Sequence, residues 1–225
     1  MGQAVSEVLP FAIGVAISPV PLIAVILMLF TPRAKQNGPA FLLGWVVGLG
    51  VLATVVYVVA DAADVASDSG ASDSTSTIKV VLGVALIVGG LRRLRNRTPA
   101  GAEPEMPKWM AGLDGFTPVK AVGLGVVLGA VNPKNLVLTI GAATGLAQLG
   151  LSSSDVVGGL ISFVVIASST TALAVGYRIL GGDAADARLI EAKAWLTVHN
   201  EAVMAMLFLV FGVVILAQGT GRLSS

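Results

Sequence analysis

Lys134 is the one charge set deep inside an apolar stretch of this chain, and it stands in the tract Asn132-Pro133-Lys134-Asn135-Leu136. An ammonium at bilayer depth costs about 2.5–3.5 kcal/mol even on a lenient insertion scale, so it must face water, a ligand or a partner. A second tract, Ser18-Pro19-Val20-Pro21-Leu22, lies near the middle of another apolar stretch. Proline removes a backbone donor and crowds the preceding turn, so such breaks persist in hydrocarbon only where protein, water or ligand re-satisfies the freed carbonyls. The two tracts together predict a lined, polar place inside a membrane. Half-helix N-termini beginning at the breaks add positive dipole ends to the Lys134 charge, which points to an anionic group as the ligand.

Each candidate side chain has a second, structural reading. Lys134 either meets substrate or donates to carbonyls freed by Pro133 or Pro19; a permanent clamp is served by Asn or Ser at lower desolvation cost, which favours substrate. Asn132, Asn135 and Ser18 either contact polar substrate groups or cap the half-helices. Pro19, Pro21 and Pro133 act through backbone shape. Ser168, Ser169, Thr170 and Thr171 either line a pathway or bond back to their own helix, the latter being favoured. His199 and Glu201, with Asp61 at the other interface, are the titratable groups available for proton coupling, although His199-Asn200-Glu201 also reads as a helix start with its cap.

What is missing narrows the function. No Asp or Glu lies deep in a stretch, which disfavours divalent-cation transport and predicts no metal site. A lone buried Lys without a paired acid or nucleophile is no catalytic constellation, so no enzyme and no cofactor are expected. The absence of cysteine removes thiol relays and iron–sulfur centres. No phosphate-binding glycine loop and no zinc-type His-Glu-x-x-His helix occurs. A net charge of +1 gives no surface for nucleic acid.

The elements that must carry these residues are spans. The 225 residues are 55% hydrophobic and only 12% charged, with a mean hydropathy of +0.89, against roughly 25% charge in average soluble chains. This composition predicts an all-α integral membrane protein. Six stretches approach the ~20 apolar residues of a span: Val8 to Phe30, Phe41 to Ala60, Ile78 to Leu94, Lys120 to Leu146, Val156 to Val175 and Ala202 to Gln218. Met1 to Pro10 holds Glu7 and no basic residue, so the first stretch reads as a retained span rather than a cleaved leader.

Lys and Arg fall mostly in alternate loops: Arg33 and Lys35; Arg92 through Lys120; Arg178, Arg188 and Lys193, while the loops between hold Asp61, Asp64, Asp68 and Asp73 with Lys79 at the far edge, and Asp155. The basic loops are expected to be cytoplasmic, with both termini outside. The stretch Asp61 to Thr77 reads as a solvated outer loop. Trp109, Met110, Leu113 and Phe116 are spaced for a short helix at the membrane surface, or for a plain connector. Glycines such as Gly44, Gly48, Gly50, Gly123, Gly125 and Gly129 are expected to let spans approach closely.

Three spans on each side of a basic loop put the halves in opposite orientations, as in secondary transporters built from inverted repeats. The single domain, 1–225, then divides into a first repeat over about 8–94, a basic loop over about 95–118 and a second repeat over about 119–219. Gly14 to Leu22 reads against Leu128 to Leu136, so the first span of each repeat is broken at the same place.

The chain resembles the LysE superfamily of small exporters, and within it the branch of GAP and sulfolipid-addressing (Sap) proteins. The resemblance rests on Ser18-Pro19-Val20-Pro21-Leu22, Met106-Pro107-Lys108-Trp109, Gly125 through Asn132-Pro133-Lys134-Asn135-Leu136, and Trp195-Leu196 with His199-Asn200. It implies a bacterial plasma (inner) membrane protein that moves an envelope lipid or glycolipid, often beside a larger lipid-export complex. By position, the family signature falls on Pro19, Pro21, Asn132, Pro133, Lys134 and Asn135. The leading expectation is a transporter or flippase for an anionic lipid whose headgroup meets Lys134. Export of amino acids or other small solutes is the alternative, and a non-transporting accessory subunit the third. A homodimer is expected only from the general preference for two-fold symmetry.

Overall fold

The computed structural model describes residues 1–66, 71–95, 110, 112 and 115–223. Every element among them is helical. The first broken stretch folds as α1 (Gly2–Ala16) and α2 (Pro19–Leu29), meeting at 54°. The second folds as α5 (Pro118–Val126), a π-helical turn (Val127–Val131) and α6 (Pro133–Ala147), with a 60° bend between its two arms. Between them lie α3 (Ala34–Ala66) and α4 (Ala71–Arg95), and after them α7 (Ser153–Gly181) and α8 (Asp183–Leu223).

Local chemistry sets these ends. Pro19, Pro118 and Pro133 each open a helix, where a missing N–H costs nothing. Thr117 and Ser152 cap α5 and α7 with their side-chain oxygens. The reversal from α7 into α8 needs a positive φ of 52°, which Gly182 supplies.

Three helices, α3, α7 and α8, are long and apolar enough to cross a membrane among the described residues, and there are up to five spans if each bent pair counts as one. Large apolar side chains such as Val51, Val59, Val165 and Leu173 point outward, as suits a hydrocarbon solvent. The chain is thus an all-α, multi-pass membrane protein. The expected third span lies in α4 but is not among those five: Lys79 and the Arg92, Arg93 and Arg95 cluster bracket its apolar stretch closely.

Two boundaries differ from expectation for one reason: a helix continues where apolarity stops. The supposed outer loop from Asp61 is largely helix, since α3 runs to Ala66 and α4 starts at Ala71, Ala being the strongest helix former. Likewise α8 starts at Asp183, so the loop expected around Arg188 and Lys193 is its first part. Most of the basic loop, with the surface helix expected at Trp109 and Leu113, lies outside the described residues; Met110 is buried, and the carbonyl of Phe116 accepts from Asn37 Nδ2 at 2.9 Å.

The helices pack in a reciprocal pattern. α3 lies on α5 and α6, α7 lies on α1 and α2, and α4 pairs along α8. At the α3–α5 contact Gly44 and Gly125 face each other's helix so closely that a Cβ on Gly44 would strike the Val122 carbonyl, and one on Gly125 the Phe41 carbonyl. Gly83 of α4 and Gly212 of α8 do the same for the other pair. Gly48 and Gly129 are in tight contact as expected, whereas Gly123 faces open space and Gly50 makes only ordinary contact with Val164.

Candidate functional site

The two breaks, 117 residues apart at Ser18 and Asn135, meet in space. α1 ends with carbonyls left without a backbone donor: Pro19 and Pro21 have no N–H to give Val15 and Ile17, and the 54° bend carries the following amides away from Gly14 and Ala16. Side chains from other spans take their place. Lys134 Nζ, on the first turn of α6, donates to the Gly14 carbonyl at 2.6 Å and to that of Ile17 at 3.4 Å. Thr170 Oγ1, from α7, donates to the Ala16 carbonyl at 2.6 Å.

The second break is closed in the same way. Asn132 caps α6, its Oδ1 accepting from the Lys134 amide at 3.1 Å. Asn135 Nδ2 donates to the Leu128 carbonyl in the π turn at 3.0 Å, and its Oδ1 accepts from Ser18 Oγ at 2.9 Å. Ser18 stands at the N-cap position of α2, yet makes no cap bond there. One amide therefore ties the two breaks together, and one ammonium ties the start of α6 to the end of α1.

The electrostatics are matched. Lys134 and the positive dipole end of α6 face the negative dipole end of α1, an attraction strengthened by burial. Lys134 is 2% exposed and Asn135 fully buried, and among the described residues no carboxylate pairs with this ammonium. Two nearby-in-sequence hydroxyls, Thr139 Oγ1 one turn beyond Asn135 and Ser168 Oγ two residues before Thr170, are buried without a described partner.

Of the residues singled out in the sequence, Lys134, Asn135 and Ser18 come together, Asn132 caps, and Pro19, Pro21 and Pro133 shape the breaks. The candidates for proton coupling are elsewhere. Glu201 accepts from Arg93 Nη1 through both oxygens, at 2.9 and 2.8 Å, tying α8 to α4. His199 Nδ1 lies 2.8 Å from the Trp195 carbonyl of its own helix and stacks on that indole at 4.5 Å. Asp61 accepts from Tyr57 at 3.4 Å. No described contact joins any of the three to Lys134.

Thr170 enters the site against the reading that its sequence favoured. The expectation for its polar patch was bonding within α7, which holds for Ser169 on the Ile166 carbonyl at 2.7 Å but not for Thr170. Its partner is a backbone carbonyl, which carries no residue-type signal.

No curated protein and no solved structure matches this chain. A family model described as Sap, sulfolipid-1-addressing protein, matches residues 8–221. That match takes in both helix breaks, Lys134 and the α4–α8 pair, nearly the whole described architecture. The chain therefore belongs to the sulfolipid-1-addressing protein family.

Proposed function

We propose that this protein moves an anionic envelope glycolipid across the plasma membrane as a secondary-type transporter or flippase, with the headgroup received at the two helix breaks. The observation that carries this reading is the Lys134 ammonium, buried between the breaks and bonded, among the described residues, only to the neutral carbonyls of Gly14 and Ile17. A sulfate or phosphate is a stronger partner for a buried ammonium than two carbonyls. Its arrival exchanges one for the other, frees the end of α1 and lets α1 and α6 part. The family's description, which names sulfolipid addressing, agrees with such a substrate.

Alternating exposure follows from two inverted three-helix repeats, with α4 counted as a sixth span and the chain placed in the LysE superfamily. The nearly equal bends of 54° and 60° support the repeat, as does the reciprocal packing of α3 on the second broken span and α7 on the first. α1 lies along α6, while α2 and α5 share no packed interface among the described residues, so one half of the pair is closed and the other is free to admit a headgroup. The basic loops put that freer half on the cytoplasmic side.

Lipid mass spectrometry on protein purified in mild detergent tests this, with wild type compared against Lys134→Met. One anionic lipid enriched on wild type and lost from the variant is the expected result. If both carry only bulk lipid, the lipid reading falls and small solutes are screened. If Lys134→Met keeps the lipid but unfolds at markedly lower temperature, Lys134 is a structural clamp. Movement in reconstituted vesicles only when a second protein is added would make the chain an accessory subunit.

A further inference from the structure

A separate cavity lies where α2 runs into α3 and α7 runs into α8. It encloses about 540 Å³ and is lined by Arg33, Lys35, Gln36 and Arg178, with Leu29 and Ile179 as its apolar wall. That volume falls in the range of about 300–1,000 Å³ typical of small-molecule sites. Three cations converge on it, and no carboxylate stands among its described lining residues. Arg178 is steadied from behind by an ion pair, its Nε lying 2.8 Å from Asp186 Oδ1 of α8. A guanidinium held in this way keeps its terminal nitrogens for a second, bidentate acceptor. Arg33 and Lys35 are exposed and reach the cavity from the α2–α3 turn and the first turn of α3.

We propose that this cavity binds an oxyanion, the phosphate or sulfate group of an anionic lipid headgroup or the same group free in solution. Arg178 is the fixed donor, Arg33 and Lys35 are the mobile ones, and Ile179 offers an apolar surface to whatever carries the anion. The site is distinct from the helix breaks and does not depend on how they function. Basic side chains that served only to orient the chain in the membrane would act equally wherever they stood on that face, so the position of the charge separates the two explanations.

The test uses the full chain in maltoside micelles with dioctanoyl phosphatidic acid as probe, read by native mass spectrometry. The double variant Arg33→Gln with Lys35→Gln is expected to weaken binding about tenfold, the size of two lost contacts from solvent-exposed cations. Lys120→Gln, an exposed cation outside the cavity, is the control and is expected to bind as wild type does. Both substitutions in the double variant are at exposed positions, and an unchanged unfolding temperature checks its fold. Displacement of the lipid by millimolar inorganic phosphate or sulfate assigns the site to the free oxyanion as well; resistance to displacement, with the double variant still deficient, assigns it to the lipid-borne group. Wild-type affinity in the double variant, or an equal loss in Lys120→Gln, overturns the proposal.

Discussion

Ser18 occupies a position where serine ordinarily caps its own helix, but its hydroxyl crosses to Asn135 instead. The bond is buried and its acceptor has nowhere else to turn, so Ser18→Ala leaves Asn135 Oδ1 unpaired at a cost of about 1–3 kcal/mol. Thermal unfolding in detergent should register this as a clear drop, larger than for Ser154→Ala at an exposed position in the first turn of α7. An equal effect for the two would mean that the link between the breaks is not made. Thr170→Val is a cleaner probe of the same principle: it keeps the shape and removes only the donor to Ala16. Its expected cost is also about 1–3 kcal/mol, because the carbonyl it abandons is at a helix end with no amide in reach.

Among the elements, the α3–α5 pair depends on having no side chain at Gly44 and Gly125. Gly125→Val would press a branched side chain into the backbone of α3 and drive the helices apart, costing about 1–3 kcal/mol or more. Gly123→Val, on the open side of the same helix, should be tolerated, and a pair of unfolding curves checks the contrast. The breaks themselves were legible in the sequence because proline acts locally: Pro19 and Pro133 announce a helix start whatever surrounds them. That Lys134 donates to carbonyls freed at a break was one of its two readings in the sequence, but which carbonyls they are was not legible. Gly14, Ala16 and Ile17 accept through their backbones, and any residue type has that carbonyl. The ends of α3 and α8 were misjudged for a different reason, since hydropathy reports where hydrocarbon ends and not where helical hydrogen bonding does. Glycine patterning said which helices approach closely but not which face of α5 does so, hence the error at Gly123.

At the scale of the molecule, the charge pattern predicts which ends of the bundle share a side of the membrane. A chain without cysteine gives a background-free test. Gln36→Cys and Ser154→Cys are at exposed positions in the first turns of α3 and α7, and an impermeant maleimide applied to intact cells should label the second and spare the first. Labelling of both from one side would overturn the proposed orientation and with it the opposed halves. The bundle is also pinned far from the breaks, where Arg93 of α4 grips Glu201 of α8 and lies 5.5 Å from the Phe208 ring centre. The π turn at Val127–Val131 has a consequence of its own. A π turn holds one more residue per circuit than its neighbours, and here Asn135 props it open by taking the Leu128 carbonyl. If Asn135 lets go, the turn can rewind as ordinary α-helix, and everything beyond it swings by about 100°, the angle of one residue. The span would then turn like a screw rather than fold like a hinge, carrying Lys134 round toward a new neighbour and a little along its axis.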